Sequence, residues 1–266
     1  METITSLQNN RIKNVLRLSE KSRERREQGL FVIEGARELS LAQSGNYKLD
    51  SVFICPSLFA RTDYPKVTQK IDSNICFEVS ETVFSRIAYR ENSDGILALA
   101  KSKTHNLNDL TLTKNPFIIV LEAVEKPGNL GAILRTTDAA AVDALIVCDL
   151  QTDIYNPNTV RSSVGCIFTV PIAVANNAET LDFLRNNNIR SFAAELQASS
   201  FYQDADFTKP SAIVMGTEAN GLSRFWLDSV DERIKIAMRG KIDSLNVSVS
   251  TAVITFEAMR QRETST

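Results

Sequence analysis

The second half of the chain alternates short apolar runs with helical segments, and this alternation restricts the fold more than any other feature of the sequence. The runs at 117–121, 144–148 and 212–215 are apolar throughout, rather than at every second position. Strands of that kind are buried on both faces, as in parallel sheets covered by helices on each side. The sequence therefore predicts an α/β fold with a parallel sheet. Ligands in such folds bind at the carboxyl ends of the strands.

Weaker runs complete the predicted organisation. Further strands are predicted in the second half at 168–172, 191–195 and 234–238, and in the first half at 31–35, 51–55, 75–79 and 95–100. A length of 266 residues is enough for two domains, each with its own core. Because a polar stretch ends just before Pro116, we expect an N-terminal α/β domain at 1–104, a linker at 105–115 and a C-terminal domain at 116–266.

Several kinds of protein are disfavoured by what the sequence contains. No apolar run approaches the roughly 20 residues that span a bilayer, and the first residues do not resemble a secretion signal, so we expect a cytoplasmic protein without membrane contact. The cysteines Cys55, Cys76, Cys148 and Cys166 are widely spaced and lie in or beside apolar segments, which predicts buried thiols and no metal site. The single histidine, His105, lies in the linker, so neither domain has a candidate for a histidine-based triad.

Positive charge is concentrated near the start of the chain. Residues 11–26 hold seven basic and two acidic side chains, although the net charge of the whole chain is -2. Apolar residues at helical spacing within this stretch predict a helix with one buried face. The basic face is either a solvated surface or a surface that contacts phosphates of a nucleic acid, and composition alone leaves both interpretations open.

Three predicted strand ends are followed by loops rich in Gly, Asn and Ser. In the first loop, Asn129 is expected to cap a helix, Gly131 permits close approach of another backbone, and Arg135 lies one helical turn beyond that glycine. An arginine beside a helix start suits a phosphate or a developing oxyanion. The alternative is a surface arginine on an ordinary capped helix.

The other two loops have the same character. In the second loop, Gly216 and Gly221 bracket Glu218 directly after a buried strand. In the third, Ser244 and Asn246 precede a helix whose apolar stripe is predicted to pack against the sheet. That stripe consists of Leu245, Val249, Ala252, Val253, Phe256 and Met259. Each loop could be an ordinary turn, and neither of the first two has the glycine spacing of a dinucleotide or nucleoside triphosphate site.

Taken together, the three loops resemble a known family. The motifs Asn129-x-Gly131-x-x-x-Arg135, Gly216-x-Glu218-x-x-Gly221-Leu222 and Ser244-Leu-Asn246-Val-Ser248-Val resemble, in the same order, the signature motifs of the SpoU (TrmH-type) RNA 2′-O-ribose methyltransferases of the SPOUT superfamily. The resemblance runs from about residue 117 to the C-terminus. It implies a C-terminal SPOUT domain with a parallel sheet and a trefoil knot, an S-adenosylmethionine cofactor and a homodimer.

The resemblance also implies roles for individual residues. Arg135 would act on the ribose 2′-hydroxyl, with Asn129, Glu218, Ser244 and Asn246 ordering the site. Because a guanidinium hardly ever loses its proton, we interpret Arg135 as a stabiliser of the forming alkoxide and an anchor for phosphate rather than as a base. The residues expected to bind the cofactor are Gly216, Gly221, Ile236, Met238 and Leu245. Residues 239–243 depart from the usual family form, which affects the details of the cofactor loop.

The N-terminal domain shows a further resemblance. The basic stretch followed by Phe31-Val-Ile-Glu-Gly-Ala-Arg37 resembles the small ribosomal-protein-like substrate-binding domain that many of these enzymes carry. The residues expected to contact RNA are Arg11, Lys13, Arg23, Arg25, Arg26 and Arg37. The activity implied is methylation of a ribose 2′-hydroxyl in 23S ribosomal RNA. The alternatives are a transfer RNA 2′-O-methyltransferase and a catalytically silent RNA-binding factor in ribosome assembly.

Overall fold

The computed structural model describes residues 1–59, 67–69, 71–90 and 93–264. The chain divides into two units, each with its own internal packing. Unit 1 comprises Met1–Thr104 and Asp153–Thr169, and unit 2 comprises His105–Thr152 and Val170–Thr266. Unit 1 thus includes a segment from the range that the sequence assigns to the C-terminal domain. Within the described ranges, no helix combines the length and the apolar character that crossing a membrane requires.

Strands and helices mostly alternate along the described part of the chain. The strands are β1 Glu2–Ile4, β2 Leu30–Glu34, β3 Leu49–Ile54, β4 Cys76–Val79, β5 Ile96–Lys101, β6 Phe117–Glu122, β7 Ala144–Cys148, β8 Ile172–Ala175, β9 Arg190–Ala194, β10 Ser200–Phe201, β11 Ser211–Met215 and β12 Glu232–Lys235. The helices are α1 Asn10–Glu20, α2 Ser22–Gln28, α3 Ala36–Ser44, α4 Pro56–Phe59, α5 Glu81–Ile87, α6 Pro127–Ala139, α7 Pro157–Ser162, α8 Asn177–Asn186, α9 Arg224–Ser229 and α10 Val247–Thr264.

Unit 1 is built on a mixed five-stranded sheet with the order β1-β4-β3-β5-β2. Strand β5 runs antiparallel to both of its neighbours, and the other pairs are parallel. Helix α1 covers the sheet with Ile12, Val15 and Leu18, which are fully buried in one apolar cluster with residues of α5. The basic stretch predicted as one helix is two helices, because Lys21 adopts an extended conformation between α1 and α2.

The segment Asp153–Thr169 packs into unit 1 through aromatic rings. The ring of Tyr155 stacks on that of Phe31, with centroids 4.2 Å apart, and Phe168 meets Tyr47 edge to face at 5.0 Å. The predicted strand at 168–172 is therefore wrong, because Phe168 belongs to this aromatic cluster and ends a short 3-10 turn. Strand β8 begins only at Ile172.

Unit 2 contains the parallel sheet that the sequence predicts. Its seven strands are ordered β10-β12-β9-β11-β6-β7-β8, and every neighbouring pair is parallel. Strands β6, β7 and β11 are buried along their whole length, as their uninterrupted apolar sequences require. Strand β12 ends at Lys235, earlier than predicted, so Ile236 and Met238 lie in the connection beyond the strand. The trefoil knot remains a prediction.

The last helix, α10, differs from its prediction in which face is buried. Its buried side chains are Thr251, Ile254, Thr255 and Ala258. The predicted stripe is on another face, and Val249 and Phe256 are 47% and 51% exposed. The prediction that this stripe packs on the sheet is therefore wrong, because the helix packs on α6 and β11 through mainly small and β-branched residues.

Arg262 anchors the far end of α10 to four backbone carbonyls. Arg262 donates hydrogen bonds to the backbone carbonyls of Asn115, Pro116, Phe207 and Lys209, at 2.6 to 3.1 Å. Those carbonyls lie just before β6 and β11, at the amino ends of the two central strands. The start of α10 is consequently placed toward the carboxyl ends of the same strands.

Candidate functional site

Side chains from three distant loops of unit 2 meet at the carboxyl ends of β6 and β11. The amide nitrogen of Asn129 donates to Oε1 of Glu218 at 2.9 Å. The amide nitrogen of Asn246 donates to Oδ1 of Asn129 at 3.2 Å and to the same Glu218 oxygen. The parallel sheet brings these loops together because the strands that precede them end at one edge.

Glu218 is the acceptor at the centre of this cluster. Its second oxygen, Oε2, pairs with the ammonium of Lys126. The hydrogen bond from Lys126 is the largest cause that lowers the pKa of Glu218, and the hydrogen bond from Asn129 is the next. Glu218 is therefore an ionised group that orients three donors, rather than a general base. The sequence interpretation missed Lys126, although its place immediately before Pro127 at the start of a helix was a usable signal.

Asn129 does not cap helix α6, so that prediction is wrong. The helix begins at Pro127 with Lys126 as its N-cap, because proline is preorganised for the first helical position. Asn129 consequently lies inside the first turn. From there its amide reaches Glu218.

Asn246 combines a structural contact with a contact in the site. Its side-chain oxygen accepts hydrogen bonds from the N–H of Ser248 at 3.0 Å and from the hydroxyl of Ser248 at 2.5 Å. These bonds satisfy groups in the first turn of α10, as a helix cap does. Its amide nitrogen is left to donate to Glu218, so the start of the helix and the position of the carboxylate are coupled.

A cavity of about 440 Å³ lies beside Glu218. Its lining includes all five residues predicted to bind a cofactor, namely Gly216, Gly221, Ile236, Met238 and Leu245. Gly216 is required here, since a Cβ atom would lie 2.2 Å from the backbone carbon of Gly221. Gly221 has a φ of 66°, which favours glycine, and its backbone pairs with Thr217 through two hydrogen bonds of 3.0 Å.

Two features of the site were not found from the sequence. The loop after β9 contributes Glu195, Leu196 and Gln197 to the cavity, and its position after a predicted strand was the available signal. Behind the cavity, the buried carboxylate of Glu122 accepts from Asn177 at 2.8 Å and from the N–H of Ser223 at 2.7 Å. This pair of bonds fixes the turn that follows Gly221.

Arg135 and Ser244 are not drawn into the cluster. Arg135 is exposed on α6 and, within the part of the chain that the structure describes, makes no hydrogen bond or ion pair. Ser244 is exposed and donates to its neighbour Asp243 at 3.2 Å. The roles predicted for these two side chains stay predictions. Nowhere among the described residues do three His, Cys, Asp or Glu side chains cluster as a metal site requires, and the four cysteines are buried as predicted.

The residues predicted to contact RNA lie in unit 1, and five of the six are exposed there. Those five are Arg11, Lys13, Arg23, Arg26 and Arg37. Arg25 is the exception, and the prediction that it contacts RNA is wrong. It is 4% exposed, pairs with Asp153 at 2.6 Å and donates to the carbonyl of Leu18. A guanidinium enclosed by these partners contributes to the core of unit 1 and does not present itself to a phosphate.

Known proteins resemble both parts of the chain. The model of the SpoU rRNA Methylase family matches residues 116–256, and the model of the MRM3-like substrate binding domain matches residues 9–98. The 23S rRNA (guanosine(2553)-2′-O)-methyltransferase RlmP of Bacillus subtilis is 28% identical over 96% of this chain and 98% of its own. The 23S rRNA (guanosine-2′-O-)-methyltransferase RlmB of Vibrio parahaemolyticus is 39% identical over 66% of this chain and 73% of its own.

Solved structures resemble nearly the whole fold. A crystal structure of an RNA 2′-O ribose methyltransferase is 35% identical, with a TM-score of 0.84, and the match covers 98% of this chain and 99% of that one. An AdoMet-bound rRNA methyltransferase from Sinorhizobium meliloti is 29% identical, with a TM-score of 0.88 over 97% of both chains. The predicted fold, a parallel α/β domain preceded by a substrate-binding domain, is confirmed. Since the first family model matches more than half of its residues, the chain belongs to the SpoU rRNA methylase family.

Proposed function

We propose that this protein transfers a methyl group from S-adenosylmethionine to a ribose 2′-hydroxyl of 23S ribosomal RNA. The observation that carries the proposal is the meeting of Asn129, Glu218 and Asn246 beside a cavity lined by Gly216 and Leu245. A chance likeness of three short motifs would not bring their polar side chains within hydrogen-bond distance. The relatives RlmP and RlmB are named as methyltransferases of 23S rRNA, which supports the choice of substrate.

The cavity has properties that suit the cofactor. Its volume of about 440 Å³ lies within the range of roughly 300 to 1,000 Å³ that small-molecule sites occupy. Ile236, Met238 and Leu245 offer apolar surface, while the backbone around Gly216 and Gly221 offers polar groups at close range. When bound, S-adenosylmethionine supplies a methyl group that its sulfonium has already activated.

The side chains of the cluster position the reacting groups. Glu218 is ionised and holds the amides of Asn129 and Asn246, so these amides are fixed before an RNA arrives. Such preorganisation lowers a barrier because the groups need not reorient during the reaction. Arg135 has no competing ion pair among the described residues, so its guanidinium is available to stabilise the developing alkoxide and to bind the adjacent phosphate.

The test uses labelled cofactor with purified ribosomal RNA and, separately, purified transfer RNA. We expect label on a 2′-oxygen of 23S ribosomal RNA. Label on transfer RNA alone would identify the protein as a transfer RNA 2′-O-methyltransferase instead. Calorimetric titration with S-adenosylmethionine tests whether the protein is a catalytically silent assembly factor. Such a factor would show no binding at millimolar cofactor.

The proposal includes a homodimer and a cytoplasmic location. Val249 and Phe256 leave an apolar stripe exposed along α10, and a second copy of the chain would remove that surface from water. We expect Phe256→Asp to shift the protein from dimer to monomer in analytical ultracentrifugation, with Arg185→Asp, at an exposed position of α8, as the control. A wild-type protein that sediments as a monomer would remove the dimer from the proposal. The cytoplasmic location is supported by the name of the relative RlmP, which gives 23S ribosomal RNA as its substrate.

A further inference from the structure

Tyr89 exposes an aromatic ring in unit 1, outside the two helices that carry most of the predicted RNA-binding residues. It follows α5 and is 58% exposed, more than any other aromatic residue in the described part of the chain. Leaving so much of an aromatic ring in water forgoes the stabilisation that its burial would give. An exposed ring of this kind is suited to a partner that stacks on it.

The turn that carries Tyr89 is anchored to the core of unit 1. The carboxylate of Glu34, at the end of β2, accepts from the N–H of Tyr89 at 2.8 Å and from the N–H of Arg90 at 3.2 Å. The guanidinium of Arg90 pairs with Glu38, whose side chain is 3% exposed. Gly35 makes room for this pair, because a Cβ atom there would lie 2.3 Å from the Glu38 carboxylate. These bonds fix the backbone that carries the ring.

A second guanidinium lies against the ring itself. The Cζ atom of Arg161, on α7, is 4.7 Å from the centroid of the Tyr89 ring, and Nη2 of Arg161 donates to Asn158 at 2.9 Å. Arg161 is also exposed. An exposed cation–π pair adds little stability, which is a weak reason to keep both groups at the surface.

The charges near the ring favour an anionic partner. Arg37 is exposed on α3, next to Glu38, and Arg86 is exposed on α5, three residues before Tyr89. The nearby carboxylates are engaged, since Glu34 accepts two N–H groups, Glu38 pairs with Arg90 and Asp94 accepts from the N–H of Ala36. An aromatic ring with flanking arginines is the combination on which proteins stack the unpaired bases of RNA while contacting its phosphates.

We infer that Tyr89 and Arg161 form a platform on which an unpaired base of the RNA substrate stacks, with the guanidinium placed to meet a neighbouring phosphate. The inference rests on the proposed function, because it takes RNA as the substrate, and it adds that the recognised RNA is single-stranded at this point. A base that is paired within a duplex cannot present its face to a tyrosine ring. The platform therefore selects unpaired RNA over a duplex.

The test uses the full chain with two probes of about a dozen nucleotides, a single-stranded oligoadenylate containing one 2-aminopurine and a duplex RNA of equal length. We expect Tyr89→Ala to weaken single-strand binding about 10-fold, since stacking of one base contributes about 1 to 3 kcal/mol. It should also abolish the change in 2-aminopurine fluorescence on binding. Tyr89→Phe is the matched control that keeps the ring, and it should bind as the wild type does. Arg161→Ala should weaken single-strand binding as well.

The remaining outcomes separate this inference from the proposed function. Equal single-strand affinity of Tyr89→Ala and the wild type would overturn the platform, as would an equal loss of affinity for the duplex. Methyl transfer by the wild type is assayed in parallel on 23S ribosomal RNA. If the wild type methylates that RNA and Tyr89→Ala binds normally, only the platform fails. If the wild type binds the single strand through Tyr89 but methylates no RNA, the proposed function fails and the platform stands.

Discussion

The two units of the protein arrange their charged side chains in different ways. In unit 2, Lys126 and Asn129 at the start of α6 and Asn246 before α10 converge on one carboxylate, that of Glu218. In unit 1, the basic side chains of α1 and α2 face solvent side by side, and only Arg25 is enclosed. Changes to members of a convergent cluster are coupled, whereas the effects of changes along an exposed surface add. The predictions for Lys126, Asp153 and the exposed basic side chains test this contrast, and the prediction for Arg135 tests a residue outside the cluster.

The largest effect is expected for Arg135→Ala. We expect this change to lower the rate of methyl transfer by about 100- to 1,000-fold, as loss of a donor to a developing oxyanion does. Cofactor affinity should stay within a few-fold of the wild type, because Arg135 does not line the cavity. Arg185→Ala, at an exposed position on α8, is the control. Single-turnover kinetics and calorimetry measure the two quantities, and near-normal turnover would remove Arg135 from the proposed mechanism.

The next largest effect concerns the stability of unit 1. Asp153→Asn leaves the buried guanidinium of Arg25 without its carboxylate, and we expect the free energy of unfolding to fall by about 3 kcal/mol. The control is Glu27→Gln, which removes the partner of Arg23 from an exposed pair on the same helix and should cost less than about 0.5 kcal/mol. Urea denaturation compares the two variants. Similar losses in both would contradict the distinction between Arg25 and its exposed neighbours.

A smaller effect is expected at the exposed basic surface. Replacing Arg11, Lys13 and Arg26 with alanine should weaken RNA binding and reduce the slope of log affinity against log salt by roughly 0.7 to 0.9 for each phosphate that is no longer neutralised. The effects of the three single variants should sum to that of the triple variant, because the side chains act separately. An unchanged slope would mean that this surface is merely solvated. Binding titrations across a salt series provide the measurement.

The smallest effect is a shift in pH dependence. The hydrogen bond from Lys126 is the main reason that the pKa of Glu218 is lowered, so the carboxylate stays ionised until the pH falls below the ordinary range of glutamate. The ordering of Asn129 and Asn246 is thus present above that lowered pKa and is lost as the pH falls through it. In Lys126→Met the pKa returns toward its usual value, and we expect the acid limb of the turnover profile to move to higher pH. An acid limb at the same pH would show that Glu218 does not control it.

The sequence predicted the convergence of the site but not its details. Parallel strands end at one edge of a sheet, so the loops after β6 and β11 were expected at the same edge, but the pairing of these two strands was not predicted. Which side chains then touch depends on local geometry that spacing does not encode, and the pairing of Lys126 with Glu218 was missed for that reason. Pro127 also starts α6 earlier than Asn129 would.

Burial was harder to predict than secondary structure. The apolar stripe of α10 has helical spacing. This spacing predicts a helix but does not determine whether other residues of the same chain cover the stripe. In the structure Phe256 is exposed. A run of arginines likewise does not show which of them is buried. Arg25 is buried because it pairs with Asp153, 128 positions away in the sequence. Long-range contacts decided both cases.

The position of Asp153–Thr169 in unit 1 has a consequence for synthesis of the protein. Tyr155 and Phe168 complete an aromatic cluster that begins with Phe31 and Tyr47. On the ribosome, this aromatic cluster stays incomplete until Tyr155 and Phe168 have emerged, which is after β6 and β7 have been synthesised. Nascent chains arrested before residue 155 should resist protease less well than chains arrested after enough residues to expose Phe168, although both already contain every strand of the first sheet.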